Sequence, residues 1–347
     1  MRIVHYAPFA PNACGLYEAA RDMVIADFRA GHEVHLVDVG VTINNEYIPG
    51  SVGKTDSRGG TFISTSDPAI ANNADILIAH TGIPDNWIVA NQVPIIWIMH
   101  GRPAACFRPE QFKKGHSYSL MYLLSKWPRI KKMVTFWKHH IPYWEPIIPK
   151  EKLVCLDAPP VDQERFSPNG PIHDFGENKG KWNVLIADSW REDVDIYEVC
   201  HGLLQTDIPG LKVHFYAMEI PLGPWEYLLQ AFREKGILGE VQGRMLNMEE
   251  KYRAADVILS PHKIATRVII EGLSCGIPII ANGCDLAQYR MVVDDPYSIR
   301  TAIQCCIDNL ECNKKMVTDE VKQAANMCSL SKYNEQMNEV YRSIVGG

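Results

Sequence analysis

One stretch of the chain concentrates residue types that do chemistry: Ser260-Pro261-His262-Lys263-Ile264-Ala265-Thr266-Arg267-Val268-Ile269-Ile270-Glu271-Gly272-Leu273-Ser274-Cys275-Gly276-Ile277-Pro278-Ile279-Ile280-Ala281. An apolar strand ends at Ser-Pro, a loop delivers Thr266, Arg267 and Val268 to the start of a helix, and Gly276-Ile277-Pro278 turns the chain back into a strand. The first N–H groups of a helix lack intrahelical acceptors and lie at its positive pole, so together with Arg267 this start suits a diphosphate. Glu271 falls one turn inside an otherwise apolar helix, where a carboxylate is costly without partners. Sugar hydroxyls would supply them; an exposed glutamate on a structural helix is the plainer alternative.

Other motifs are weaker. Gly272-Leu273-Ser274-Cys275-Gly276 matches the GxSxG nucleophile elbow, but that elbow follows a strand and opens a helix, and here the order is reversed. Neither GxGxxG nor GxxxxGK[ST] occurs, which argues against NAD and P-loop chemistry. Asp193-Val194-Asp195 fits either a DxD clamp for a metal-bound diphosphate or the acidic opening of a helix, and the second is the more ordinary use. Ten cysteines (Cys14, Cys106, Cys155, Cys200, Cys275, Cys284, Cys305, Cys306, Cys312 and Cys328) form no CxxC pair and fit reduced thiols in a cytoplasmic protein.

The elements that must position these residues alternate along the chain. Apolar strands at Arg2 to His5, Val34 to Asp38, Asp75 to His80, Ile95 to His100, Met133 to Trp137 and Leu153 to Leu156 are separated by helical patterns. The first of those patterns runs from Gly15 to Ala30, with Leu16, Ala20, Met23, Val24 and Phe28 on one stripe and Gly31 as its stop. The stretch from Asp157 to Lys181, rich in Pro, Gly, Asn and Asp, reads as a linker. A second alternation follows: strands at Val184 to Ala187, Val213 to Ala217, Val257 to Leu259 and Ile277 to Ala281, helices near 195 to 205, 224 to 235, 248 to 255 and 267 to 275, and a helical tail from about 296 to 345. Alternation of this kind predicts an α/β fold of two doubly wound parallel sheets covered by helices. The expected domains are 1–168, 169–330 and a last helix, 331–347, packing back on the first domain. Ligands of such folds bind at the carboxyl ends of the strands, which places the site in an interdomain cleft.

Composition narrows the class. The 347 residues suffice for about two domains. Apolar residues make up 46% and charged residues 22%, which excludes disorder, coiled coil and collagen. Lys and Arg number 35 against 41 Asp and Glu, and the net charge of −6 argues against a protein that coats polyanions. No apolar run approaches the ~18 residues that span a bilayer, and Met1-Arg-Ile-Val-His-Tyr-Ala-Pro8 opens a strand rather than a signal peptide.

Taken in order, these segments resemble the retaining glycosyltransferases of the GT-B fold, two facing Rossmann-like domains, and glycosyltransferase family 4 in particular. The resemblance rests on Pro11-Asn12-Ala13-Cys14-Gly15 before the first helix, Ala30-Gly31-His32-Glu33-Val34, His100-Gly101, Leu153 to Asp162 with Phe166 and Pro168, Tyr252-Arg253-Ala254-Ala255-Asp256 to Pro261, and above all the run from Glu271 to Ala281. It implies that Glu271 holds the donor ribose and that backbone groups at Thr266, Arg267 and Val268 meet the diphosphate. Gly15 would lie beside the phosphates and the acceptor, and Arg244 and Met245, after Gly243, would flank the base. His100 would lie at the transfer centre; a satisfied strand-end histidine is its alternative.

Three departures from the family pattern stand out. Lys263, beside His262, occupies a position where the family usually has a sugar-binding glutamate. The Arg and Lys pair that neutralises the diphosphate is missing from Ile186 to Asp193, where Ser189 falls in the same donor loop; Arg191 would substitute, with Lys263 or Arg267 supplying the second charge. A Gly-rich turn near Met218 is replaced by Glu219-Ile220-Pro221-Leu222-Gly223-Pro224-Trp225.

On the acceptor side, with Arg102 just past His100, the stretch from Lys126 to His140 packs five cations, two histidines and three aromatics, including Lys131, Lys132 and Trp137. It reads as a solvated face beside a buried strand, a membrane-surface patch for a lipid-linked glycan, or a nucleic-acid contact with stacking aromatics. The expected activity is transfer of a sugar, with retention, from a UDP- or GDP-linked donor to an acceptor hydroxyl of a glycan, a lipid-linked glycan or a modified base in DNA. The leaving diphosphate would assist deprotonation, with no cofactor and no metal. A nucleotide-sugar epimerase and a catalytically silent nucleotide-sugar-binding protein are the alternatives. The expected location is the cytoplasm, peripheral at a membrane or on nucleic acid.

Overall fold

A computed structural model describes residues 1–7, 15–38, 41–43, 46–48, 53–57, 60–65, 68–80, 92–100, 118–188, 196–216, 224–243 and 247–346. Two compact units divide the chain: Met1–Pro160 with Ser329–Gly347, and Val161–Cys328.

In the first unit the strands are β1 (Arg2–Ala7), β2 (Glu33–Asp38), β3 (Val41–Ile43), β4 (Glu46–Ile48), β5 (Gly53–Ser57), β6 (Gly60–Thr65), β7 (Ile76–Ala79), β8 (Ile95–Ile98), β9 (Ile130–Thr135) and β10 (Leu153–Cys155). Among the described residues, eight of them form one sheet in the order β10-β9-β8-β7-β1-β2-β6-β5. It is parallel except at its edge, where β5 and β6 pair antiparallel. The strands β7 and β8 are wholly apolar and buried, as a parallel sheet covered on both faces requires, whereas the neighbouring β1 carries the buried His5. The helices α1 (Gly15–Arg29) and α2 (Tyr118–Lys126) belong to this unit.

The second unit holds β11 (Trp182–Ile186), α3 (Ile196–Leu204), β12 (Leu211–Phe215), α4 (Pro224–Glu234), β13 (Leu238–Val241), α5 (Met248–Ala254), β14 (Val257–Ser260), α6 (Arg267–Ser274), β15 (Ile279–Ala281), β16 (Tyr289–Arg290) and α7 (Pro296–Met327). Its sheet is parallel, in the order β13-β12-β11-β14-β15-β16. The chain then returns to the first unit as α8 (Leu330–Val345).

Strand order turns between β1 and β7 in the first sheet and between β11 and β14 in the second. Those are the switch points of doubly wound sheets, where helix starts and strand ends converge.

Several expectations need correction. The strand expected at Met133 to Trp137 begins earlier, at Ile130, because Lys131 and Lys132 lie at its entry, where Lys131 is exposed and the Lys132 ammonium donates to the Glu151 carbonyl at 2.8 Å. The purely parallel first sheet acquires an antiparallel edge, because β5 (Gly-Lys-Thr-Asp-Ser) pairs through its backbone and shows no apolar run. Residues 161–168 join the second unit rather than the first: the Val161 amide donates to Cys328 O at 2.8 Å, and Arg165 pairs with Glu249 at 3.1 Å. The long tail is three helical pieces. Asn313 (φ −148°, ψ 56°) breaks α7 and its side chain accepts from the Met316 amide at 3.3 Å, restarting the helix as an N-cap does, and Ser329 caps α8 through the Lys332 amide at 3.1 Å.

The last helix fills the first unit's core. Leu330, Tyr333, Met337, Val340 and Tyr341 cluster with Ile3, Met23, Ile25 and Ile78. Its polar groups are tied down as well: Asn334 donates to Ala26 O at 3.0 Å, and Gln336 donates to the Asp157 carboxylate at 2.8 Å.

Candidate functional site

In the second unit, β11 and β14 end side by side and carry Asp188 and His262 just past their last residues. These meet: His262 Nε2 is 3.3 Å from Asp188 Oδ1, with side chains 9% and 3% exposed. Lys263, the next residue, points its charge into solvent. Thr266 is the N-cap of α6, with extended backbone (φ −71°, ψ 170°) and no side-chain bond to the helix. Its Oγ1 is buried and has no hydrogen-bond partner among the described residues. The first amides of α6, at Arg267 and Val268, have no intrahelical acceptor, as at any helix start.

Arg267 reaches back one turn onto Glu271. Its Nε and Nη2 lie 3.0 and 2.7 Å from Glu271 Oε1, and both side chains are 10% exposed. The Tyr252 hydroxyl donates to the other oxygen, Oε2, at 3.1 Å. The electrostatic cost of burying Glu271 is therefore met inside the protein. Burial and the neighbouring carboxylate hold the Tyr252 phenol well above its ordinary range, so it stays a donor. The Arg267 guanidinium also lies over the Phe166 ring, 6.0 Å from its centroid.

Glycine decides how closely α6 approaches the sheet. A Cβ on Gly272 would stand 2.2 Å from Ile258 Cδ1 on β14, so with Ile258 in place Gly lets the helix lie there without repacking. Ser274 is inside that helix and Gly276 is its left-handed stop (φ 85°), an arrangement that excludes the nucleophile elbow.

In the first unit, His100 follows β8. Its Nε2 lies 3.1 Å from Nδ1 of His80, which follows β7, and His80 Nε2 lies 3.0 Å from Nδ1 of His5 on β1. His5 Nε2 is 3.0 Å from Asp27 Oδ2 on α1, and the Tyr341 hydroxyl of α8 donates to the same carboxylate at 2.9 and 2.8 Å. Burial pushes His100 down to about 4 and His80 well below its ordinary value.

The cationic stretch is partly committed to the fold. Arg129 is buried and donates to Val93 O at 3.3 and 3.1 Å, and Lys132 is held at Glu151 O. Lys126, Lys131 and Lys138 are exposed. Trp137 is half-buried against Phe136 and His140. Gly15 starts α1 and is exposed. The candidates Arg102, Ser189, Arg191, Arg244 and Met245, with the Asp193–Asp195 pair, lie outside the described residues.

No protein-family model and no curated protein sequence matches the chain. Solved structures match over nearly its whole length. HepE from Anabaena, in complex with UDP and glucose, aligns with a TM-score of 0.71 at 13% identity over 99% of this chain and 100% of that one. Sucrose-phosphate synthase from Thermosynechococcus elongatus aligns with a TM-score of 0.73 at 13% identity, over 100% and 99%. An α-glucosyltransferase in complex with UDP and a 13-mer DNA containing a HMU base gives 0.63 at 13% identity, over 100% of both chains. The fold is GT-B.

Each half of the GT-B fold thus carries a polar cluster that the sequence left unassembled. Asp188–His262 joins two strand ends of the second half, and Asp27–His5–His80–His100 joins three strands and a helix of the first. The one available signal was position: His80, His100, Asp188 and His262 all follow the carboxyl end of a parallel strand, where ligand-facing residues of α/β folds gather. Among the described residues no group of three His, Cys, Asp or Glu side chains could hold a metal ion, and no helix is long and apolar enough to cross a membrane.

Proposed function

We propose that the protein is a glycosyltransferase that moves a sugar from a nucleoside diphosphate sugar to an acceptor hydroxyl with retention of configuration. The observation that carries this reading is the start of α6 in a GT-B chain. There, amides without intrahelical acceptors, Arg267 and the buried Glu271 stand at the strand ends beside the second switch point. The amides and Arg267 would meet the diphosphate, with Arg191 and Lys263 adding charge, and Glu271 would hold the ribose. A carboxylate has about four acceptor positions, so bonding Arg267 and Tyr252 is compatible with bonding a ribose as well. Arg267 is already oriented by Glu271 and Phe166 before any ligand arrives, which lowers the cost of ordering it.

No pair of carboxylates is placed for double displacement among the described residues of either strand-end cluster. Catalysis on this reading rests on positioning and on stabilising the charge that develops on the leaving diphosphate, beside removal of the acceptor proton, without a cofactor. His100 would act at the transfer step. UDP is present in two of the structural neighbours, which favours a uridine donor for the first trial.

Purified protein offered UDP-, GDP- and ADP-sugars should bind at least one, and Glu271→Ala and Arg267→Ala should each lose affinity while still folded. Failure of every donor to bind or turn over refutes the reading. Product analysis separates transfer from epimerisation. For the acceptor, we propose a polyanionic or lipid-linked surface meeting Lys126, Lys131 and Lys138. Reversing the charge of Lys131 and Lys138 should abolish activity on DNA or membrane acceptors and spare a small soluble one.

A further inference from the structure

We propose that Asp27, His5, His80 and His100 form a proton relay, in which a proton accepted by His100 Nδ1 from a substrate hydroxyl comes to rest as an imidazolium at His5 against the Asp27 carboxylate. This rests on the glycosyltransferase reading for its substrate, and on the first unit alone for its geometry.

The direction of the array follows from proton counting. A carboxylate only accepts, and a neutral imidazole has one N–H and one lone pair. Asp27 takes the Tyr341 hydroxyl on both oxygens and faces His5 Nε2 at 3.0 Å, so His5 Nε2 carries hydrogen. With all three rings neutral, His5 Nδ1 is then a lone pair, and the 3.0 Å contact requires hydrogen on His80 Nε2. By the same step His80 Nδ1 is a lone pair, and His100 donates to it from Nε2 at 3.1 Å. His100 Nδ1 is left as a lone pair, with no partner among the described residues. The rings are close to coplanar, 18° apart for His5 and His80 and 28° for His80 and His100. Their centroids stand 5.3 and 5.4 Å apart, more than the N···N distances by the breadth of a ring, so the contacts are end-to-end N–H···N bonds and not face stacking.

One added proton reverses both bonds between the rings and leaves the bond from His5 to Asp27 as it was. As the substrate O–H breaks, His100 Nδ1–H forms; His100 Nε2 passes its proton to His80 Nδ1, and His80 Nε2 passes its own to His5 Nδ1. Two hops leave His80 and His100 neutral and place the charge on the one imidazole of the array that touches a carboxylate. Burial opposes a resting charge at the other two rings, which is why the proton moves on. The neighbouring groups are consistent with this: Tyr341 and Tyr333 of α8 are held well above their ordinary values by burial and remain neutral, and Phe136 lies against His100 with ring centroids 6.1 Å apart. Asp27, His5 and His80 are thus positioning residues, and His100 is the group that meets substrate.

The test is spectroscopic and needs no substrate. In ¹⁵N-labelled full-length protein at neutral pH, long-range ¹H–¹⁵N correlation should show His5, His80 and His100 neutral, each with Nε2 protonated and Nδ1 bare. An imidazolium at His5, or hydrogen on His100 Nδ1, in the resting protein overturns the proposal, whatever any variant does. In Asp27→Asn the amide can donate to His5, so His80 and His100 should shift toward the Nδ1–H form. Its kcat should fall about 10²- to 10⁴-fold, the range for loss of general acid–base catalysis, with donor affinity unchanged. Unmoved tautomers in a folded Asp27→Asn also refute the relay. If no nucleoside diphosphate sugar binds wild-type protein, the enzyme reading fails on its own, and the tautomer spectrum still decides the array.

Discussion

Replacing Glu271 by Ala separates two roles that activity alone would merge. The side chain is 10% exposed, paired with Arg267 at 2.7 Å and bonded by the Tyr252 hydroxyl at 3.1 Å. Removing one member of a buried ion pair costs about 3–5 kcal/mol, and a buried hydroxyl that loses its acceptor costs about 1–3. The two effects share one carboxylate and do not add in full, so the expected loss is about 4 kcal/mol. Against a native stability of about 5–15 kcal/mol the variant should fold in the cold and unfold early. Glu271→Gln keeps one acceptor oxygen for Arg267 and presents an NH2 from which the Tyr252 hydroxyl can accept instead, so with the charge lost it should cost about half as much. Urea titration of the three proteins reads these differences, and calorimetric titration with donor nucleotide at low temperature reads affinity where all remain folded. If Glu271→Ala loses less than about 1 kcal/mol, the pair is not the structural element described above. If Glu271→Gln keeps full donor affinity, the ribose assignment fails.

Other outcomes follow from named contacts. Gly272→Ala should cost about 1–3 kcal/mol by overpacking, and Ile258→Val, which removes the Cδ1 that stands 2.2 Å from the new methyl, should restore most of it; no rescue in urea melts refutes the packing argument. Burial holds His100 and His214 down to about 4, below the value of about 6.5 in an unfolded chain, so the unfolded state binds more protons between those pH values. Stability should be full above pH 6.5 and fall toward pH 4, by up to about 3 kcal/mol per histidine, and His100→Gln should remove its share of that slope. Alkylation mapped by mass spectrometry should reach Cys305 and Cys312, which are exposed, well before Cys200, Cys306 and Cys328, whose thiols burial holds above their ordinary range.

Hydrophobic periodicity reported the alternation of strands and helices because buried parallel strands such as Ile76–Ala79 and Ile95–Ile98 are apolar throughout. It was silent on β5, whose sequence Gly-Lys-Thr-Asp-Ser holds no apolar residue, and on Tyr289–Arg290, two residues long. At the site, the spacing of Arg267 and Glu271 was visible in the sequence. That spacing on a helix sets the two against each other, but the burial of the pair and the Tyr252 hydroxyl that completes it come from packing, which no local spacing shows. Asp188 with His262, and Asp27 with His5, His80, His100 and Tyr341, come from distant positions with no local period, and only the strand order brings them together.

Because α8 returns to the first unit after the second is complete, the second unit is an insertion within the first. During synthesis the first unit has its sheet on the growing chain but lacks Tyr333, Met337 and Tyr341, which complete its core and cap Asp27. Its closure must wait until α8 has been made and has left the exit tunnel, whereas the inserted unit, contiguous from Val161 to Cys328, can fold before that. A nascent or truncated chain lacking the final turns would therefore present a finished second half beside an open first half, and proteolysis would nick it there first.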